Sequence, residues 1–276
     1  ISNVAGCHIN SKLINGCLKN AKQMKNNCIV AFLDVSRAFD RIGHSQIENS
    51  LTAQGVSRDL QGLIVALLKE NTIHIQVGNL RTKPIAVKYG MPQGGPLSPL
   101  LFNVAINFIY NEICDSSFAS SYGYCLTEYL EPVCLTGFAD DKAITARDVQ
   151  SAVRVIEATK DLLLSIGLEI NASKSTAIVV EKGELVQSNL ELNNEEVICS
   201  ISQNERIKYL GCTSTFNNLL IFNKDSLLPF SKNLEKLAKS PLLKPYQKLN
   251  IINQYIFPTL IYPLQTAPLT KIPMYI

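Results

Sequence analysis

The run CIVAFLDV, residues 28–35, is apolar without a break until Asp34. A strand with one wet face alternates apolar and polar residues. An unbroken run of this length reads instead as a strand buried on both faces. Such a strand needs strand neighbours and packed cover, which the rest of the chain must supply. With 276 residues, 46% of them hydrophobic, there is enough apolar material for that core, in one large or two small domains.

The spacing along the chain supplies the partners. HINSKLINGCLKNAKQMKNN predicts a helix with a Lys-rich polar face. HSQIENSLTAQG and SRDLQGLIVALLKEN predict two more, the second capped by Ser57. TIHIQVG and KPIAVKYG read as paired strands with a turn at Gly78–Asn79. After the Gly/Pro loop GMPQGGP, Ser98 as a capping hydroxyl followed by Pro99 marks a helix start. The helix beyond it is apolar nearly all round and is expected to be buried. PVCLTGF and KAITAR form a hairpin with Ala139–Asp140–Asp141 at its tip. DVQSAVRVIEATKDLLLSIG puts Val149, Val153, Ile156, Leu163 and Ile166 on one stripe, with Gly167 as its C-cap. STAIVV and RIKYLGC read as further strands. Two helical segments follow from Asp225; Lys224, Lys232, Lys236, Lys239, Lys244 and Lys248, in and around them, read either as a solvated helix face or as a surface that tracks a nucleic-acid backbone. The order predicts an α+β fold with a mostly antiparallel sheet, compatible with a split βαβ core.

Three aspartates carry the chemistry. Asp34 ends a buried strand, and Asp140 and Asp141 sit side by side within LTGFADDKAITA, an otherwise apolar stretch. Buried charge costs several kcal/mol unless it is paired. Lys142 is the one cation near in sequence. Carboxylates from a strand end and a hairpin tip make a magnesium site, since magnesium takes one or two carboxylates with phosphates and waters. Two such ions would clamp an in-line phosphoryl displacement. Spacing alone leaves the alternative of ordinary turn aspartates. The net charge of +3 is compatible with a nucleic-acid partner without requiring one. The eight cysteines contain no CxxC pair and the three histidines are scattered, which argues against structural zinc. Several of those cysteines lie in apolar runs, the pattern of a reducing compartment. The longest apolar run, PLLFNVAINFI, is too short to span a bilayer, so no membrane partner is expected. The chain begins at Ile1 and is expected to be a piece of a longer polyprotein.

AFLDVSRAFD, GMPQGGPLSPLLFN and FADD, in that order, resemble motifs A, B and C of reverse transcriptases. GLEINASKS is similar to motif D and IKYLG to motif E. The wording of these motifs and of PLLKPYQKLNIINQYIFPTLIY looks most like non-LTR retrotransposons, closest to the clade that inserts into ribosomal genes. The resemblance implies a right-hand polymerase palm with helices on one face of its sheet. Residues 1–27 would be the tail of the fingers. Residues 28–220 would be palm, with a fingers-side insertion at about 44–97, and residues 221–276 the start of a helical thumb. It implies an RNA-directed DNA polymerase using two Mg2+ ions, with Mn2+ as the alternative. Its partners would be an RNA template, a DNA primer or target and dNTPs, in target-primed synthesis in the nucleus. Asp34, Asp140 and Asp141 would be the metal ligands. Lys174 would be the general acid for pyrophosphate, with a solvated surface lysine as its plain alternative. Val35, Phe39, Gln93 and Gly94 would line the nucleotide, Phe39 as a steric gate against ribose rather than an ordinary core aromatic. Tyr209, Leu210 and Gly211 would form the primer grip. A group II intron maturase-type enzyme and a catalytically dead RNA-binding relic are the other readings. The family's basic fingers residues, which grip the triphosphate, lie upstream of these motifs, so weak activity of the isolated piece is expected.

Overall fold

The computed structural model describes residues 6–193, 195–203, 205–210, 212–214, 228–259 and 261. The chain divides into two compact units, residues 20–201, and residues 1–19 with 202–276.

Helix α1 (Gly6–Met24) is followed by β1 (Cys28–Val35), α2 (Ala38–Arg41), α3 (His44–Ala53) and α4 (Arg58–Lys69). Four short strands come next, β2 (Thr72–Ile73), β3 (Gln76–Val77), β4 (Leu80–Arg81) and β5 (Ile85–Ala86). Then come α5 (Ser98–Ile113), α6 (Ser116–Tyr122), β6 (Leu135–Phe138), β7 (Asp141–Ala146), α7 (Val149–Ser165) and β8 (Ile170–Glu181). The larger unit closes with β9 (Glu184–Leu185), β10 (Leu190–Glu191) and β11 (Val197–Ser200).

The main sheet has the order β10-β11-β8-β1-β7-β6, with β9 added on β8. β1 runs antiparallel to both β7 and β8, and the β11–β8 pair is parallel. The expected mostly antiparallel sheet is therefore present. β1 is central, which explains its composition. Ile29, Ala31, Leu33 and Val35 join the core beneath α5 and α7, while Cys28 and Val30, on the opposite face, are also fully buried.

Helix α7 starts with the Asp148 carboxylate accepting the Ser151 amide at 2.7 Å, and Gly167 (φ +80°) follows its end. Ile156 and Leu163 are buried as expected. Val149 and Val153 are only half-buried, and Ala152, Val155 and Thr159 take the inner positions beside them. The expectation for α5 needs correction. Asn103, Asn107 and Asn111 form an exposed stripe at four-residue spacing and Leu100 is 60% exposed, so one face of this helix is wet. Ser98 does not cap it. Leu97 holds that position, and the Ser98 hydroxyl donates to the Pro92 carbonyl at 2.6 Å. Ser57 occupies the N-cap of α4 without a side-chain capping bond. The predicted hairpin of residues 72–86 is interrupted. β2 pairs with β5 and β3 with β4 across the Gly78–Asn79 turn, while the Thr82 hydroxyl accepts the Ile75 amide between them.

In the second unit, β12 (Ile207–Tyr209) pairs with β13 (Cys212–Ser214). α8 (Leu228–Ala238) and α9 (Pro245–Ile251) lead into a π-helical turn, Ile252–Ile256. Lys232, Lys236, Lys239 and Lys244 are exposed, and the half-buried Lys248 donates to the Ala238 carbonyl. Lys224 lies outside the described residues. Among the described residues no helix is long and apolar enough to cross a membrane.

Candidate active site

The sheet register brings the aspartates together. Leu33 pairs with Lys142, so one step further along both strands Asp34 stands opposite Asp141. The parity of the strands then decides the face. Lys142 shares its face with Ile144 and Ala146, which pack in the core. Asp34 and Asp141 therefore lie on the other face, away from α5 and α7. Asp140 stands beside them in the two-residue turn between Phe138 and Asp141. Ala139, the first turn residue, has φ +53°. For a residue with a Cβ this costs about 1–2 kcal/mol.

What balances the carboxylates lies under them. Lys142 is 1% exposed, and its ammonium donates to the Ala139 carbonyl at 3.1 Å. The same ammonium sits over the rings of Phe102 at 5.7 Å and Tyr110 at 6.0 Å. Burial pulls its pKa down to about 8, while Asp140 and Asp141 oppose that fall. The tip is thus a strained turn pinned from below by a buried cation. It is also pressed onto α5: a Cβ on Gly137 would stand 2.2 Å from the Tyr110 hydroxyl.

Among the described residues no three His, Cys, Asp or Glu side chains converge into a ready-made metal cluster. The donor set still fits magnesium, which needs only one or two protein carboxylates when phosphates and waters complete its shell.

The loop of residues 90–95 is sewn to the turn after β1. The Met91 amide donates to the Phe39 carbonyl and the Gly90 amide to the Ile42 carbonyl, both at 2.8 Å. Gly90 has φ +80°, and a Cβ there would lie 2.6 Å from the Asp40 carbonyl oxygen. The Gln93 amide donates to both Asp40 carboxylate oxygens, at 3.0 and 3.2 Å. Gly94 (φ +85°) turns in open space. Phe39 is half-buried and stacks on Phe102, ring centroids 4.7 Å apart. Phe39, Gln93 and Gly94 thus come together beside the aspartates' strand, and Phe102 links Phe39 to Lys142.

Lys174 is exposed on a bulge of β8, next to Ser175, whose hydroxyl accepts the Asp34 amide at 3.1 Å. Arg41 forms a two-pronged ion pair with Glu169. That partner raises the Arg41 pKa and lowers that of Glu169. Val35 is buried in the core, so its side chain does not line a cleft. Tyr209 is buried and Leu210, also buried, has φ +47°; both belong to the second unit. Gly211 lies outside the described residues. Sequence reasoning missed Asp40, Lys142 as a core cation, and Ser175. For Lys142 a signal existed, since it has the same parity as Ile144 and Ala146.

A mostly antiparallel sheet backed by helices on one face, with aspartates at adjacent strand ends on the other, is the architecture of a nucleic-acid polymerase palm. Residues 4–214 match the family described as reverse transcriptase (RNA-dependent DNA polymerase), and the chain belongs to that family. It is 27% identical over 272 residues, 97% of its length, to the Pol polyprotein of the type-1 retrotransposable element R2 of Popillia japonica, of which it covers 37%. It is 26% identical, over 94% of its length, to that of the type-2 element R2DM of Drosophila melanogaster, covering 24%. The fold is also that of apo telomerase from Candida tropicalis, with a TM-score of 0.54 at 11% identity, over 78% of this chain and 36% of that one. The chain thus spans between about a quarter and two-fifths of the length of these relatives.

Proposed function

We propose that this chain is the palm-centred part of an RNA-directed DNA polymerase of a non-LTR retrotransposon of the R2 kind. It extends a DNA primer 3′-OH on an RNA template, and at a nicked chromosomal target it does so in the nucleus. The observation that carries the reading is that Asp34 and Asp141 stand at adjacent strand ends on the face away from the helices, with Asp140 next to them in the turn.

Asp34 and Asp140, with Asp141 beside them, would hold magnesium. The ion supplies charge for the triphosphate and acidity for the primer hydroxyl. The chain's own residues do the positioning. Asp40 fixes the Gln93 amide, which orients the incoming nucleotide and template base. Phe39, braced on Phe102, closes the space beneath the sugar and excludes a 2′-hydroxyl. Lys174 supplies a proton to the departing pyrophosphate. Tyr209 and Leu210 serve the primer strand, and the lysines of α8 and α9 neutralise backbone phosphates.

Primer extension on an RNA template tests the reading. A polypeptide extended to the length of the relatives should incorporate dNTPs and lose extension with Asp34→Asn or Asp140→Asn. The 276-residue chain alone should extend weakly, since substrate positioning supplies much of phosphoryl-transfer catalysis. Full activity of either Asn variant would sink the assignment.

A further inference from the structure

β8 leaves its register with β1 where the chemistry begins. Phe32 pairs with Thr176, yet Asp34 pairs with Asn171. Two steps along β1 answer to five along β8, so residues 172–175 form a bulge opposite Leu33 alone. Lys174 is carried on that bulge.

The bulge is held by its own side chains. The Asn171 side-chain oxygen accepts the Ser173 hydroxyl at 2.7 Å and the Lys174 amide at 3.3 Å. Ser175 closes the loop. Its hydroxyl donates to the Asn171 carbonyl at 2.8 Å and accepts the Asp34 amide at 3.1 Å. Ser175 is 2% exposed, while Ser173 and Lys174 are exposed. One buried hydroxyl therefore stands in for the ladder bond lost at the break, and it joins the backbone of Asp34 to the base of the lysine bulge. Two residues on, the Ser36 amide donates to the Glu169 carbonyl at 2.9 Å, so the bulge is anchored at its far side as well.

We infer that Ser175 is a positioning residue for nucleotidyl transfer: its hydroxyl sets Asp34 and Lys174 at a fixed spacing. The inference rests on the proposed function, in which Asp34 holds the metal and Lys174 faces the pyrophosphate. A hydroxyl is needed because both bonds must be made at once. Alanine makes neither, and threonine makes both. Leaving the Asp34 amide without its acceptor frees the strand end that has to hold the ion, and the bulge with it.

The test is a double-mutant cycle in a polypeptide extended to the length of the relatives, with melting temperatures measured throughout. Ser175→Ala should lower turnover about tenfold and Ser175→Thr restore it to within about twofold, the scale of one positioned hydrogen bond. In a Lys174→Ala background the same Ser175→Ala change should cost less than about threefold, because one of the two groups it positions is gone and only the part exerted through Asp34 is left. Independently of turnover, hydrogen exchange at the Asp34 amide should quicken at least about tenfold in Ser175→Ala and be slow again in Ser175→Thr. Equal factors in both backgrounds would show that Ser175 does not set Lys174, and an unchanged Asp34 amide that it does not hold Asp34; either result overturns the inference. Extension retained by Asp34→Asn would instead overturn the proposed function itself.

Discussion

Lys142→Met should make the metal-free protein more stable at neutral pH, against the usual expectation for a core substitution. The ammonium is buried among Phe102, Tyr110 and the hairpin tip. Its pKa falls from the ordinary 10.5 to about 8, chiefly through burial. At about 1.4 kcal/mol for each pH unit of that fall, keeping the group charged costs about 3 kcal/mol. Methionine fills much of the same space without the charge, but it leaves the Ala139 carbonyl without its donor, a loss of about 1 kcal/mol. The net gain expected at pH 7 is about 2 kcal/mol. Because the folded pKa lies below the unfolded one, the folded chain holds fewer protons between pH 8 and 10.5. The wild-type protein therefore gains stability as pH rises through that window, and below it the cost is present in full. The advantage of the variant should shrink above pH 8 and reverse by about 1 kcal/mol at pH 10.5. Urea unfolding of both proteins in EDTA at pH 7, 9 and 10.5 measures this difference, and other titrating groups cancel between them. A variant less stable at pH 7, or a difference that does not move with pH, would show that the carboxylates compensate the buried charge.

Phe39→Val removes the stack on Phe102 from a half-buried site, so it should cost roughly 1–2 kcal/mol, less than a fully buried phenylalanine. It should also lower the ratio of kcat/KM for dNTP over rNTP; a stability loss with an unchanged ratio would mark Phe39 as packing only. Asp140→Asn should abolish extension and weaken magnesium binding, yet change metal-free stability by less than about 1 kcal/mol, since relief from Asp141 offsets the attraction lost to Lys142. A large drop in melting temperature without metal would make Asp140 a structural residue. Gly137→Ala should destabilise by about 1–3 kcal/mol through the clash with the Tyr110 hydroxyl, and Tyr110→Phe should recover part of it. No recovery in the double variant would place the strain elsewhere, in the Asp141 carbonyl.

Local pattern made much of the palm legible. The unbroken apolar run announced a central strand, and the paired aspartates between two short strands announced a hairpin tip. In α5 the high average hydrophobicity hides three asparagines, although their four-residue spacing marks a wet stripe. Lys142 neighbours the aspartates in sequence, yet its parity with Ile144 and Ala146 sets it beneath them, and the register with β1 carries Asp34 and Asp141 to the other face. The bonds from Gln93 to Asp40 and from Ser175 to Asp34 join residues far apart in sequence. No local periodicity encodes such contacts.

The exposed hairpin of residues 72–86 has a separate consequence. The chain leaves at Asn71 and returns at Val87, whose amide donates to the Asn71 carbonyl at 3.0 Å. The paired residues of β2 to β5 are all exposed and none belongs to the core. Closing a longer excursion at that gate costs only about 0.6 kcal/mol for each doubling of length. Length is therefore nearly free to drift there, in natural lineages or by grafting an epitope at Gly78–Asn79, while the lacing of Phe39 to Met91 stays as it is.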